Sequence, residues 1–165
     1  INMRNNNLSI ALIVCAFIVP IICVVRGIAF NQNCGGYLNQ AANANSVELA
    51  LERLNIAINY VESNNMTHGY TSVLWKTEND NIGYWYRNLK TCQDELKACT
   101  NSSQLEKTNV LLKVRESLTD EGKDGTKLIT PSGISRYPNN ALFGIFNWIS
   151  LLMFIVGCAI FDRYW

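Results

Sequence analysis

The sequence predicts an all-α membrane protein in which two transmembrane helices flank a three-helix antiparallel extramembrane bundle with an extended return strap. Three observations predict it: an uncharged apolar run near each end, apolar residues repeating at three and four between the runs, and a polar stretch rich in Gly and Pro before the second run. The 165 residues leave room for one compact domain besides its anchors, since single domains most often run to about 100–150 residues.

Residues 1–7 form a polar arm. Residues 8–25 are eighteen in number and carry no charge, close to the roughly 20 residues a helix needs to cross the hydrocarbon core. The first transmembrane helix is therefore set at 8–29. Arg4 precedes the run, as in a secretory signal, but a signal's apolar region is only about 7–15 residues long. The segment reads as a retained signal-anchor. The second run, residues 141–161, is twenty-one residues long and is closed by Asp162, Arg163, Tyr164 and Trp165. Such a charged and aromatic collar, residues 162–165, suits the headgroup layer.

Two spans place both termini on one side and residues 30–140 on the other. Local charge decides little, because Arg4 and Arg163 lie on the terminal side while Arg26 and Arg136 lie on the loop side. A connector longer than about 60 residues also largely escapes the positive-inside rule. The signal-anchor reading puts the termini in the cytoplasm.

Within the connector, Gly35-Gly36 predicts a joint after the first span, since paired glycines weaken a continuous helix. Val47, Leu51, Leu54, Ile58 and Val61 then repeat at four, three, four and three, which predicts an amphipathic helix over about 36–62. Residues 63–69 are a polar turn. Ile82, Trp85, Leu89, Cys92, Leu96 and Cys99 repeat the pattern and predict a second helix over 80–99. Ser103 and Glu106 have the spacing of a capping box, so a third helix is expected over 103–118, with Leu105, Leu111, Leu112, Val114 and Leu118 on its apolar side. Residues 119–140 hold Gly122, Gly125, Pro131, Gly133 and Pro138, too many breakers for a helix. They predict the strap.

Charge and motif exclude several classes. Residues 31–140 hold eleven Lys/Arg and twelve Asp/Glu with neither sign clustered, so a nucleic-acid partner is not expected. No nucleophile elbow, phosphate-cradling Gly loop, metal-binding His pair or dinucleotide fingerprint occurs. No enzyme activity, cofactor or metal is expected. His68, the only histidine, sits in the polar turn with no evident acid or nucleophile beside it and reads as a solvated turn residue. The cluster Tyr84, Trp85, Tyr86, Arg87 could stack a ligand, with Arg87 for an anionic group, but Trp85 belongs to the core stripe and ordinary packing is the favoured reading.

Three features are candidates for contact. Tyr70, Val73, Leu74 and Trp75 form an apolar patch on no helical stripe, so they either cap the hairpin tip or meet a partner. Asn147, Ser150 and Gly157 fall on one face of the second span, and Ser9, Ala16, Cys23 and Gly27 on one face of the first. Small and weakly polar residues at such spacing favour close helix contact, either between the two spans or with other membrane proteins. Of the cysteines outside the spans, Cys92 and Cys99 are about 10 Å apart along one helix, beyond the roughly 7 Å Cα limit for a disulfide. Antiparallel packing of the first two exposed helices puts Cys34 nearer Cys99, so the expected pair is Cys34 with Cys99, and three free buried thiols are the alternative.

Gly69-Tyr70-Thr71-Ser72-Val73-Leu74, Ile82-Gly83-Tyr84-Trp85-Tyr86-Arg87-Asn88-Leu89-Lys90 and Gly133-Ile134-Ser135-Arg136-Tyr137-Pro138 resemble segments of small uncharacterised two-pass membrane proteins of cyanobacteria. The resemblance implies a bacterial plasma membrane or thylakoid, with the exposed domain in periplasm or lumen, and implies no activity. The expected role is an accessory or scaffold subunit whose partners are the lipid bilayer and other membrane subunits or further copies of itself. A sensor-like ligand-binding module that signals through a separate partner is the alternative.

Overall fold

Pro20 has no N–H to give the Ala16 carbonyl, and its ring crowds the turn before it. The first apolar helix accordingly tightens at Phe17, whose N–H bonds the Val14 carbonyl at 3.2 Å, and divides into α1 (Asn2–Ala16) and α2 (Ile18–Phe30). This computed structural model describes residues 2–122 and 125–164, with side chains placed from residue 7 to residue 163. Trp165 and Lys123-Asp124 of the strap lie outside the described residues, as do the side chains of most of the polar arm and of Tyr164.

The chain is mostly helical and divides into two units, residues 1–27 with 139–165, and residues 28–138. Two helical stretches, Asn7–Ala42 and Asn140–Arg163, are long and apolar enough to cross a membrane. In the first unit, α1 packs along α7 (Asn140–Tyr164). Phe17 meets Phe154 edge to face at 5.9 Å, and the Arg26 guanidinium lies 5.4 Å from the centre of the Phe143 ring.

The second unit begins with a correction. The expected joint at Gly35-Gly36 does not form, because Gly35 (φ −57°, ψ −44°) and Gly36 (φ −60°, ψ −39°) are both helical. The backbone passes through a single widened π turn, Asn31–Gly35, and continues as α3 (Gly36–Ala42). Burial of Cys34 and Gly35 against α4 (Val47–Ser63) outweighs the weak helix preference of two glycines.

A second correction follows at once. The single helix expected over 36–62 is two, broken at Asn43, where φ turns to −103°, and restarted by Ser46, whose hydroxyl accepts the Leu49 N–H at 3.2 Å. Asn43, Asn45 and Ser46 hydrogen-bond their local backbone better outside a helix than within one. The break folds α3 back along α4, which pairs Phe30 with Tyr60 and Cys34 with Ala57.

α5 (Ile82–Ala98) runs antiparallel to α4: Gln93 Nε2 donates to Asn55 Oδ1 at 2.6 Å, and the Tyr86 hydroxyl to Glu62 at 2.6 Å. The predicted stripe from Ile82 to Cys99 is buried along its whole length. Each buried Leu or Ile of this core, such as Leu54, Ile58 and Leu89, contributes on the order of 1.5–3 kcal/mol. α6 (Gln104–Leu118) starts from a complete capping box at Ser103 and Glu106. Its core face is narrower than expected: Val114 and Leu118 are buried and Val110 and Leu111 half-buried, but Leu105 and Leu112 are exposed because α6 packs on one side only.

The strap is more ordered than expected, within a chain that stays mostly helical. It opens with an antiparallel hairpin, β1 (Thr119–Gly122) and β2 (Gly125–Leu128), that pairs Thr119 with Leu128 and Gly122 with Gly125. Gly125, at φ +104°, adopts a backbone that few other residues tolerate. A short 3₁₀ turn, Ile134–Arg136, then tucks Ile134 into the core.

Candidate functional site

Three places hold the sequence-predicted contact residues, and the first is the loop between α4 and α5. Its base is pinned. The Thr71 N–H bonds the Asp80 carbonyl at 3.0 Å, the Ile82 N–H bonds the Gly69 carbonyl at 2.9 Å, and the Tyr137 hydroxyl donates to the His68 carbonyl at 2.8 Å. Asp80 further accepts from the Thr77 and Thr71 hydroxyls. Beyond this base Leu74 and Trp75 stand 79% and 80% exposed, and Val73 is exposed beside them. Tyr70 is half-buried, with the Lys76 ammonium 5.2 Å from its ring centre. The patch is a tip that turns outward.

The second place is a groove of about 720 Å³ between the start of α5 and the strand-and-strap segment from Lys127 to Pro131. Trp85 closes its floor, with Nε1 donating to the Ile129 carbonyl at 2.9 Å. Tyr84, 53% exposed, and Asn88 lie one turn apart on α5 and both line it, with Asn79, Asp120 and Thr130 on the walls. A second hollow of about 440 Å³ shares Tyr84, Asn88 and Ile129. The aromatic cluster is thus divided: Trp85 is core, Tyr86 is spent on Glu62, Arg87 is exposed, and Tyr84 alone of the four enters the groove lining. The Glu62 hydrogen bond pushes the Tyr86 phenol above its ordinary range. His68 is exposed, its ring beside the Thr67 hydroxyl.

The chain matches no protein family, no curated protein and no solved structure.

The third place is the seam of the apolar helices. Ser150 and Gly157 of α7 are buried, as are Ser9 and Ala16 of α1. A Cβ on Gly157 would stand 3.2 Å from the Ser9 carbonyl oxygen, so the two small-residue faces meet each other inside the chain. Asn147 is half-buried, with its amide 3.9 Å from Cys23 Sγ. The contact face proposed for other subunits is therefore largely occupied within this unit.

The cysteine pairing is overturned. Cys34, Cys92 and Cys99 are all free and buried, and no two cysteines among the described residues lie at disulfide distance. The fold-back of α3 is the reason: it carries Cys34 to the level of Ala57, while Gln93, one residue past Cys92, lies level with Asn55. Cys99, at the end of α5, lies six residues beyond Gln93 and so away from that level. Burial pushes the Cys92 thiol above its ordinary value. Among the described residues no group of three His, Cys, Asp or Glu converges to hold a metal ion.

The groove carried the weakest signal in the sequence. Asn79, Asn88, Asp120 and Thr130 come together only because the hairpin and strap return across α5, and no local spacing reports that return.

Proposed function

We propose that the chain is a non-enzymatic accessory or scaffold subunit of a membrane protein complex. Its two apolar helices cross a bacterial plasma membrane or thylakoid, with cytoplasmic termini and the residue 28–138 unit in periplasm or lumen. The cyanobacterial resemblance and the signal-anchor pattern support that placement. The observation that carries the role is the tip at Leu74 and Trp75, about four-fifths exposed on a loop whose base is fixed by backbone hydrogen bonds. A loop whose base is held before binding has less backbone entropy to lose on contact, and exposed aromatic anchors are the usual centre of an interface. The occupant is another membrane subunit.

Purification from native membranes in mild detergent, with cross-linking mass spectrometry, tests this. The wild-type chain is expected to co-migrate with a partner cross-linked near Lys76, and Leu74→Ser/Trp75→Ser is expected to lose that partner while keeping its melting temperature. A wild-type chain that runs only as free monomer ends the proposal.

A second reading, a ligand-binding module that signals through a separate partner, is favoured by the groove lined by Tyr84 and Asn88. A thermal-shift screen with small metabolites that moves nothing counts against it.

A further inference from the structure

We infer that the groove beside Tyr84 is a binding site for a neutral oligosaccharide; the inference deepens the ligand-binding reading and rests on it. Its volume, about 720 Å³, falls within the roughly 300–1,000 Å³ of small-molecule sites. Its floor is apolar, made by Trp85, Leu128, Ile129 and Pro131, and its walls are polar.

The polar groups on the walls are available. Trp85 has spent its N–H on Ile129, and Asn81 is engaged in capping α5. The Tyr84 hydroxyl, the Asn88 amide and the Thr130 hydroxyl, by contrast, make no hydrogen bond among the described residues. Tyr84 also offers half of its surface to solvent.

That combination selects a chemical class. A carboxamide presents a donor and an acceptor on adjacent atoms, matching neighbouring hydroxyls that each donate and accept. A carboxylate such as Asp120 accepts from hydroxyl donors. An exposed tyrosine ring gives the C–H face of a sugar an apolar surface to lie on. Anions are opposed by Glu78 and Asp120, with Lys127 the one cation among the described residues of the lining. Wholly apolar ligands are opposed by the cost of drying those same charges.

The second hollow extends the argument. Because it shares Tyr84, Asn88 and Ile129 with the first, a chain of sugars lying over Tyr84 reaches both hollows and a single sugar reaches one. Longer oligosaccharides therefore bind more tightly than monosaccharides.

The test is isothermal titration calorimetry on the full chain in lipid nanodiscs, free of glycoside detergents. One arm uses linear neutral gluco-oligosaccharides and N-acetylglucosamine oligomers. The other uses dicarboxylates, nucleotides and small amines. Saturable binding of the neutral oligomers is expected, increasing with chain length. Tyr84→Ala is expected to weaken it about tenfold and Tyr84→Phe to leave it within about threefold, with melting temperatures unchanged. Heat from the charged arm alone, lost in Tyr84→Ala, overturns the sugar and leaves the ligand-binding reading standing. Silence in both arms overturns both, and sugar binding that survives both Tyr84→Ala and Asn88→Ala overturns the site.

Discussion

Gly157 lies so close to α1 that a Cβ placed on it would stand 2.8 Å from Ile13 Cγ1. Isoleucine is stiff at that branch, and the next neighbours, the Ser9 carbonyl oxygen at 3.2 Å and the Ile13 nitrogen at 3.3 Å, are backbone that cannot rotate away. Gly157→Leu is therefore expected to part α1 from α7 at a cost of about 1–3 kcal/mol. Gly144, on the same helix, has nothing within 4 Å of the equivalent position, so Gly144→Leu should cost no stability. Thermal unfolding of both variants in nanodiscs, followed by circular dichroism, separates them; equal melting temperatures would refute the close approach.

The three thiols of the second unit should behave as buried and unpaired. Intact mass is expected to be the same with and without reductant. A water-soluble maleimide should modify Cys34, Cys92 and Cys99 only after denaturant is added. The raised Cys92 thiol keeps its thiolate fraction below that of an ordinary cysteine across about pH 7–9. A Cys34–Cys99 cross-linked peptide in a non-reduced digest would contradict the fold-back of α3.

Trp85→Phe keeps most of the ring in the core and removes the hydrogen bond to the Ile129 carbonyl. The expected cost is about 1–2 kcal/mol, since the carbonyl is left seeking a partner. Hydrogen exchange should quicken in residues 119–130 and stay unchanged in α4. Uniform acceleration through the whole unit would mean that Trp85 acts as general core and does not tether the hairpin.

Glu106 closes the capping box, and the Ser103 backbone N–H, then its hydroxyl, hold its carboxyl below the ordinary 4.5. A carboxyl depressed in the folded state stabilises above its unfolded value, and that contribution is lost as pH falls through the folded one. Glu106→Gln, which imitates the protonated acid, should lower the melting temperature at neutral pH. The gap should close as the pH drops below 4.5. A gap that persists in acid would assign the effect to shape and not to charge.

What the sequence revealed divides by the range of the forces involved. The α5 stripe, the Ser103 box and the two apolar runs are local patterns, and periodicity or spacing reports them directly. Gly35-Gly36 misled because helix preference is a matter of about 1 kcal/mol per glycine, less than the burial of Cys34 and its neighbours against α4. The break at Asn43–Ser46 was written in capping residues, but the apolar spacing beyond it drew the boundary too early. With that break missed, Cys34 was carried to the wrong end of α5. The hairpin of Thr119–Gly122 with Gly125–Leu128 had no alternating apolar pattern as its mark. The groove had no local mark either.

The pairing of α1 with α7 also imposes an order on synthesis. The residues of Ile28–Pro138 stand between the two partners, and at ribosomal speed they take on the order of ten seconds to make. Through that interval the first apolar helix has no α7 to cover Ser9 and Ala16, while α3 to α6 pack on one another as they are completed. The ribosome therefore delivers the residue 28–138 unit before α7, and the seam at Gly157 closes only after it.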